Sequence, residues 1–291
     1  MLQKLSEGVK GACCMIVGTL LLTTQDAITK WMTSNYHAGE ILFYRGIFTF
    51  LPIIALVIWA GTLDSLKTKS LKSTLFRAVL GSATSVFVIL SFAHFPLATA
   101  LAIIFLSPIM LTALSIPMLG EQVGWRRWCA VLVGFCGMLL IIQPGQGGEW
   151  LYFLIPLFTA FLVTMRDIVT RGMKGGDSSL SILFYSMLVA LLTGAGSLPI
   201  YGMNWPNLDD LMLFAASGIM VSLSHLLIIQ ALLFAPGATV APFKYLSLVY
   251  AAGIGYVVWG DVPNLWKVVG AVLVVLAGLF ILHREMRAKA T

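Results

Sequence analysis

Ten runs of mostly apolar residues, each roughly long enough to cross a lipid bilayer, follow one another along this 291-residue chain. A membrane-spanning helix needs about 20 such residues. Charged residues make up 10% of the chain and hydrophobic residues 59%, whereas a soluble domain carries roughly 25% charged residues. The sequence therefore predicts an all-α membrane protein with ten transmembrane helices. The predicted spans are 10–32, 38–60, 74–94, 97–119, 128–143, 150–171, 180–201, 210–234, 237–259 and 265–283.

Lysine and arginine residues are distributed unevenly between the segments that join these spans. With a cytoplasmic N-terminus, thirteen of them, Arg77 included, lie on the cytoplasmic side, and two, Lys30 and Lys267, on the other. Cytoplasmic segments of membrane proteins carry the excess of positive charge. We therefore expect an inner (cytoplasmic) membrane protein with both termini cytoplasmic and with an uncleaved first span. The net charge of +6 then needs no nucleic-acid partner, for which basic residues would cluster on one face.

The two halves of the chain repeat each other. A displacement of 141 residues aligns QDAITK (25–30) with RDIVTR (166–171) and the ILFY at 41–44 with the ILFY at 182–185. A displacement of 140 residues aligns further pairs in the later spans. We expect a first repeat of five helices in residues 1–145 and a second in residues 146–291.

An odd number of spans in each repeat makes the second repeat enter the membrane from the opposite side. The prediction is therefore two inverted five-helix repeats. Secondary transporters use this arrangement, with the substrate bound near the middle of the membrane between the repeats. A duplicated scaffold whose symmetry has no role in transport is the alternative.

Polar residues inside the spans are candidates for function, because charge at bilayer depth is costly. Arg45, Lys244 and His225 break the repeat, since Arg45 aligns with Ser186. Two cations facing a central cavity would suit a carboxylate, which arginine binds with two hydrogen bonds. The alternative is that Arg45 neutralises a nearby acid and Lys244 contacts helix carbonyls. Further candidates for substrate binding are Tyr44, Tyr185, Tyr245 and Ser247.

A second group of charged residues suggests gating or coupling. Asp26 and Lys30 are four residues apart on one helix, and Asp167 and Arg171 repeat that spacing in the second half. Residues at this spacing can pair along a helix, so we expect a gate or a brace at a helix end. Either aspartate is also a candidate proton acceptor. Glu40 and Arg166 complete this group.

Proline and glycine residues predict local features of single spans. Ser107-Pro108 and Pro242 are expected to loosen the fourth and ninth spans. Since Leu248 stands in the second half where Pro108 stands in the first, a hinge built on that proline would exist in one half alone. Glycines in the fifth and tenth spans predict close helix packing or pairing with another copy; they are Gly134, Gly137, Gly270 and Gly278.

Ten spans in two repeats, with Gly-Glu at 120–121 and Gly-Asp at 260–261 closing the fourth span of each half, resemble the drug/metabolite transporter superfamily. Within it, the stretch 241–282 is similar to the EamA-type branch. The resemblance implies a single-chain secondary carrier that works by alternating access, with a cavity lined by helices 1–4 and 6–9. It implies a small-molecule substrate, coupled to a proton or a counter-substrate.

We expect the substrate to be anionic or zwitterionic and to carry a carboxylate, such as an amino acid or organic acid. The alternative is an exporter of cationic or amphiphilic drugs or metabolites. A membrane-embedded enzyme would need a constellation such as an H-E-x-x-H helix, and a channel would need a polar stripe across the bilayer; the sequence has neither. We predict no cofactor and no metal, contact with membrane lipid, and a monomer or homodimer.

Overall fold

The computed structural model describes residues 7–60, 66–119, 125–143, 148–173, 178–234 and 240–290. Regular structure in these ranges is helical throughout, as predicted. The short 3-10 helices Gly148–Phe153 and Ala241–Tyr245 directly precede α7 and α10. The α-helices are α1 Glu7–Met32, α2 Ala38–Ala60, α3 Leu71–His94, α4 Leu97–Ile104, α5 Ser107–Leu119, α6 Trp125–Ile142, α7 Leu154–Gly172, α8 Ser179–Tyr201, α9 Leu208–Phe234, α10 Leu246–Trp259 and α11 Leu265–Ala290.

The lengths and compositions of these helices make the chain a multi-pass membrane protein. Among the described residues, seven helices are long and apolar enough to cross a membrane. Three shorter apolar helices, Trp128–Ile142, Phe243–Trp259 and Leu265–Ile281, lie at the predicted fifth, ninth and tenth spans. The first part of the predicted ninth span, at 237–239, lies outside the described residues.

Two spans are broken, and the breaks lie at equivalent positions of the two halves. The fourth span is interrupted between α4 and α5, at Phe105, and the ninth changes from 3-10 to α-helix at Tyr245, 140 residues later. Pro108 follows the first break and Pro242 precedes the second. Both spans are therefore interrupted where Ser107-Pro108 and Pro242 were expected to loosen them, and a different proline accompanies each break.

The broken segments lie against each other and against α7. The rings of Phe105 and Tyr245 are in contact, with their centroids 5.2 Å apart. Thr164 of α7 donates its hydroxyl to the carbonyl oxygen of Ser107 at 3.1 Å. The same hydroxyl also donates to the Ala160 carbonyl oxygen at 2.8 Å, so Thr164 joins α7 to the start of α5.

Helix pairing follows the repeat. The helix α1 packs along α9, and its counterpart α7 packs along α3. Likewise α2 contacts α9, and its counterpart α8 contacts α3. The pairs α2 with α8 and α6 with α11 join counterparts directly. Exchange of the two halves therefore reproduces these principal helix pairs.

Close approach of α6 and α11 depends on glycine. A Cβ atom at Gly137 would lie 2.8 Å from the carbonyl oxygen of Gly270, closer than Cβ atoms come in real structures. Gly134 similarly faces Ile109, and Gly278 faces Tyr245. The predicted close packing at these four glycines is confirmed, and its partners lie within the same chain.

Candidate functional site

A polar cavity of about 140 Å³ lies between α2, α3, α7, α8 and α9. Three arginines from three different helices, Arg45, Arg77 and Arg166, line it together with His225. Ser85 and Ser186 contribute hydroxyl groups, and the remaining lining residues are glycine or apolar. Since the described lining includes no carboxylate, we call it the arginine cavity, and its charge favours an anion.

Arg45 is held by polar side chains of α1. Its Nη1 donates to Gln25 Oε1 at 3.2 Å and to Thr29 Oγ1 at 3.4 Å. Gln25 Nε2 donates to a carboxylate oxygen of Asp26, and the hydroxyl of Ser217 on α9 donates to Gln25 Oε1 at 3.2 Å. Gln25 therefore joins Arg45 to Asp26. Sequence reasoning missed Gln25, although it is the first residue of the repeated QDAITK motif.

Arg77 lines the cavity. The distribution of charge along the sequence places it among the basic residues of the cytoplasmic segments. Its Nε donates to Thr170 Oγ1 of α7 at 2.7 Å, and its Nη1 donates to Ser186 Oγ of α8 at 3.0 Å. The structure explains the error: α3 begins at Leu71, so Arg77 lies almost two turns inside the helix. This depth was available from the sequence, since Arg77 falls within the predicted third span.

Arg166 pairs with its neighbour Asp167, at 3.2 Å between Nη2 and Oδ1. The predicted pairing of Asp167 with Arg171 cannot be compared directly, because the Arg171 side chain lies outside the described residues. The carboxylate of Asp167 is partly exposed, so this ion pair lies at the edge of the cavity and not in its deepest part.

Lys30 does not pair with Asp26, so the pairing predicted from their spacing is wrong. Its ammonium donates to the carbonyl oxygens of Phe92 and Phe95, at 3.0 and 2.8 Å, and lies 5.3 Å from the centre of the Trp259 ring. These carbonyls end α3, where a helix presents its negative pole. Lys30 therefore joins α1, α3 and α10 at one end of the molecule.

Lys244 is exposed and is not among the residues that line the arginine cavity. The described lining brings Arg45 together with Arg77 and Arg166, and Lys244 lies outside that lining. The hydroxyl of Ser247 donates to the Lys244 carbonyl oxygen at 2.7 Å, so it caps the turn that carries Lys244. His225 does line the cavity, as predicted, and its Nδ1 bonds to the Val221 carbonyl oxygen at 2.7 Å.

The three candidate tyrosines lie outside the arginine cavity. Tyr44 is buried and donates its hydroxyl to the Asn204 carbonyl oxygen at 2.8 Å. Tyr185 packs against Phe184, and Tyr245 lines an apolar groove between α4, α10 and α11. None of the three candidate tyrosines therefore lies beside Arg45 in this cavity, because the rotation of their helices directs them elsewhere.

The cavity is sealed toward one end of the molecule, which we call the closed end and define by the loops 33–37 and 202–207. Here Glu40 is fully buried and accepts hydrogen bonds from the backbone N–H groups of His37, at 3.0 Å, and of Asn204. Tyr36 donates to Asp210 at 2.8 Å. Burial and this hydrogen bond raise the pKa of Tyr36 to about 12, so its hydroxyl remains a donor at neutral pH.

The opposite end is polar and accessible; we call it the open end and define it by the C-terminal turns of α7 and the turn Ala241–Tyr245. The side chains of Asp167 and Arg166 are 44% and 30% exposed, and Lys244 is exposed. An anion that enters from this end meets Arg166 and Lys244 first, with Arg77 and then Arg45 beyond them.

Comparison with known proteins agrees with this architecture. The EamA-like transporter family matches the chain twice, over residues 9–143 and 148–283. The S-adenosylmethionine uptake transporter of Rickettsia bellii (strain RML369-C) is 30% identical over 273 residues, which cover 91% of each chain. A solved crystal structure superposes with a TM-score of 0.66 at 16% identity, over 93% of this chain and 96% of that one, and this likeness shows the fold alone.

Two further relatives differ from the first in the transport that their names state. The riboflavin transporter of Rhizobium johnstonii is 26% identical over 97% of this chain and 94% of its own. The pseudopaline exporter of Pseudomonas aeruginosa is 26% identical over 92% of this chain and 94% of its own. The predicted superfamily is thereby confirmed, and the enzyme alternative is excluded. The chain is a small-metabolite transporter that belongs to the EamA-like transporter family of the drug/metabolite transporter superfamily.

Proposed function

We propose that this protein is a secondary active transporter of a small anionic or zwitterionic metabolite that carries a carboxylate. The observation that carries the proposal is the arginine cavity, in which Arg45, Arg77 and Arg166 converge and the described lining holds no acidic residue. A guanidinium group binds a carboxylate through two parallel hydrogen bonds. The same charge disfavours the alternative of an exporter for cationic drugs.

The bonding of these arginines supports a free anion-binding capacity. Arginine has five N–H donors, and within the described residues Arg77 directs two of its nitrogens to hydroxyl groups while Arg45 contacts an amide and a hydroxyl. Neither forms an ion pair with a described carboxylate. Asp26 and Asp167 act on Arg45 and Arg77 electrostatically without direct contact. A substrate carboxylate would add a directly bonded negative charge, in a region where charge without a bonded partner is costly.

His225 offers a complementary group for a zwitterion. A carbonyl oxygen accepts hydrogen bonds and does not donate them, so the bond to Val221 assigns the proton of a neutral His225 ring to Nδ1. Nε2 is then an acceptor and suits an ammonium or hydroxyl group of the substrate. The cavity volume of about 140 Å³ is below the roughly 300 Å³ of small ligand pockets. An amino acid or short organic acid, or the acidic end of a larger molecule, is therefore the expected occupant of this conformation.

Alternating access is the proposed mechanism. Two inverted halves, 1–145 and 146–291, would exchange conformations so that the cavity opens to either side in turn. The matched family regions at 9–143 and 148–283 and the exchangeable helix pairs support this division. With both termini cytoplasmic in an inner membrane, the open end faces the cytoplasm. Asp26 is the candidate for proton coupling, because Gln25 connects it to Arg45.

Transport by the purified protein in proteoliposomes tests the proposal. The probes are S-adenosylmethionine, glutamate, succinate, riboflavin and tetraphenylphosphonium, each with wild type, Arg45→Lys and Arg45→Gln. Losing a hydrogen bond to a charged group costs about 1.5–3 kcal/mol, so Arg45→Gln should reduce carboxylate transport by about 10- to 100-fold, and Arg45→Lys by less. Lys267→Gln removes a cation outside the arginine cavity and is the matched control.

The result distinguishes a carboxylate transporter from an exporter of cations. Transport of a carboxylate probe that depends on Arg45 and not on Lys267 supports the proposal. Transport of the cation alone, or equal carboxylate transport by wild type and Arg45→Gln of matched folding, contradicts it.

A further inference from the structure

The hydrogen bonds of Arg45 and Arg77 are counterparts under the internal repeat. Arg45 of α2 contacts Thr29 of α1, and Arg77 of α3 contacts Thr170 of α7. Thr29 and Thr170 are equivalent residues, 141 positions apart. Each half of the molecule therefore uses the same threonine of its first helix to bind an arginine, although the two arginines come from different helices.

The remaining partners show that an arginine and a serine have exchanged places. The residue equivalent to Arg45 is Ser186, and Ser186 accepts a hydrogen bond from Arg77 at 3.0 Å. At the displacement of 140 that aligns Ser82 with Ser222, the residue equivalent to Arg77 is Ser217. Ser217 donates to Gln25 Oε1 at 3.2 Å, the same oxygen that Arg45 contacts.

Each half therefore builds a site from one arginine, one serine and one threonine. In the first site the arginine stands on α2 and the serine on α9; in the second the serine stands on α8 and the arginine on α3. The second copy of ILFY does not lack an arginine. It receives one from α3, so that each site retains one guanidinium group.

Position along the helices assigns the two sites to opposite ends. Arg45 lies seven residues after Ala38, which begins α2 near the closed end. Arg77 lies six residues after Leu71, which begins α3 near the open end. At about 1.5 Å per residue, each arginine is about 10 Å from its own end. Both line the same cavity, so each is the first of the two that a substrate meets from its side.

We propose that Arg77 is a second substrate-binding residue, the counterpart of Arg45, and that the acidic group of the substrate is bound first by the arginine nearest the side of entry and then by the other. This inference rests on the proposed transport of a carboxylate. The competing role for Arg77 is structural, as a clamp that joins α3 to α7 and α8.

Exchange of the arginine and serine separates these roles. Arg77→Ser, Ser186→Arg and the double variant Arg77→Ser/Ser186→Arg are reconstituted in proteoliposomes, and transport of a carboxylate carried by the wild type is measured with the probe on either side. Arg77→Ser should raise the KM about tenfold or more for probe on the open-end side, as loss of a charge-assisted hydrogen bond predicts, and should change it less on the closed-end side. The double variant should restore the KM to within about threefold of wild type, because Ser186→Arg returns a guanidinium to the same site.

Arg45→Ser and Arg45→Ser/Ser217→Arg give the mirror experiment, in which the larger KM effect should appear on the closed-end side. Lys72→Ser removes an exposed cation from the first turn of α3 and should leave both KM values unchanged. Arg77→Lys keeps the charge and tests the role if Arg77→Ser does not fold.

Three outcomes would overturn the inference. In the first, a folded Arg77→Ser or Arg77→Lys protein has the same KM as wild type on each side of the membrane. In the second, kcat falls with KM unchanged, as a clamp predicts. In the third, the double variant behaves no better than Arg77→Ser. Absence of carboxylate transport by the wild type would instead overturn the proposed function, and this inference with it.

Discussion

At the scale of single residues, Glu40 illustrates how a buried charge is stabilised at the closed end. It occupies the third position of α2, after His37, and accepts the His37 backbone N–H. In return, His37 Nδ1 accepts from the backbone N–H groups of Gly39 and Glu40 at 3.1 and 3.3 Å. This is the reciprocal pattern of a capping box, with histidine as the capping residue. The second bond of Glu40, to Asn204, joins this helix end to the loop before α9.

Substitution of this carboxylate should destabilise the closed end. Glu40→Gln removes a charge that accepts two backbone hydrogen bonds, and such bonds contribute about 1.5–3 kcal/mol each. We expect a loss of about 2–3 kcal/mol in unfolding free energy, because the amide retains one acceptor oxygen. Thermal unfolding in detergent measures it. Asp209→Asn, an exposed acid at the same end, is the control, and equal shifts for both variants would contradict the stabilising role.

At the scale of helices, small residues determine how closely the spans pack. Gly218 of α9 lies against α2, where a Cβ atom would be 2.5 Å from the Arg45 carbonyl oxygen. Gly194 of α8 lies against α2 as well, with a Cβ atom 2.6 Å from the Phe43 backbone nitrogen. Membrane helices associate largely through such close backbone contacts. The glycines around α2 therefore set the orientation in which Arg45 enters the cavity.

The contact of α6 with α11 gives a test at this scale. Gly137→Ala places a methyl group against the Gly270 carbonyl oxygen, and overpacking costs about 1–3 kcal/mol. Gly253→Ala in α10 has no atom within 4 Å of the new methyl group. It should be neutral or stabilising by about 0.5–1 kcal/mol, since alanine favours a helix. Opposite signs in thermal unfolding are expected, and equal effects would mean that the α6–α11 contact does not need glycine.

At the scale of the whole molecule, the structure combines a sealed end with an accessible one. Tyr36, Glu40 and Tyr44 are buried at the closed end, and Lys30 joins α1 to α3 there through the Phe92 and Phe95 carbonyl oxygens. These contacts must break if the cavity is to open on that side. The proposed exchange of halves would form equivalent contacts at the open end.

Chemical labelling tests this asymmetry. Ser85 lines the cavity, so Ser85→Cys, made after replacement of the native cysteines, should react with a membrane-impermeant maleimide mainly in inside-out vesicles. Saturating substrate should slow the reaction. Ser34→Cys, at an exposed position of the 33–37 loop, should react in right-side-out vesicles. Reaction of Ser85→Cys from the Ser34 side alone would mean that the open end does not face the cytoplasm.

The sequence by itself determined the all-α membrane class, the positions of the apolar spans, the duplication and the superfamily. These depend on local composition and on similarity between segments, which can be read without knowledge of contacts. It also identified Arg45 and His225, because charge and polarity within an apolar run are local signals. It did not reveal that Gln25 joins Arg45 to Asp26.

Only the tertiary structure decided which polar groups meet. Arg77 and Ser186 are 109 positions apart and Lys30 and Phe92 are 62 apart, and their contacts depend on the rotation of each helix about its axis. Packing against neighbouring helices sets that rotation, through close approaches such as those of Gly194 and Gly218. For this reason spacing alone paired Lys30 with Asp26, and it could not show that the three tyrosines lie outside the arginine cavity. The same rotation brings Arg77 to the serine that aligns with Arg45.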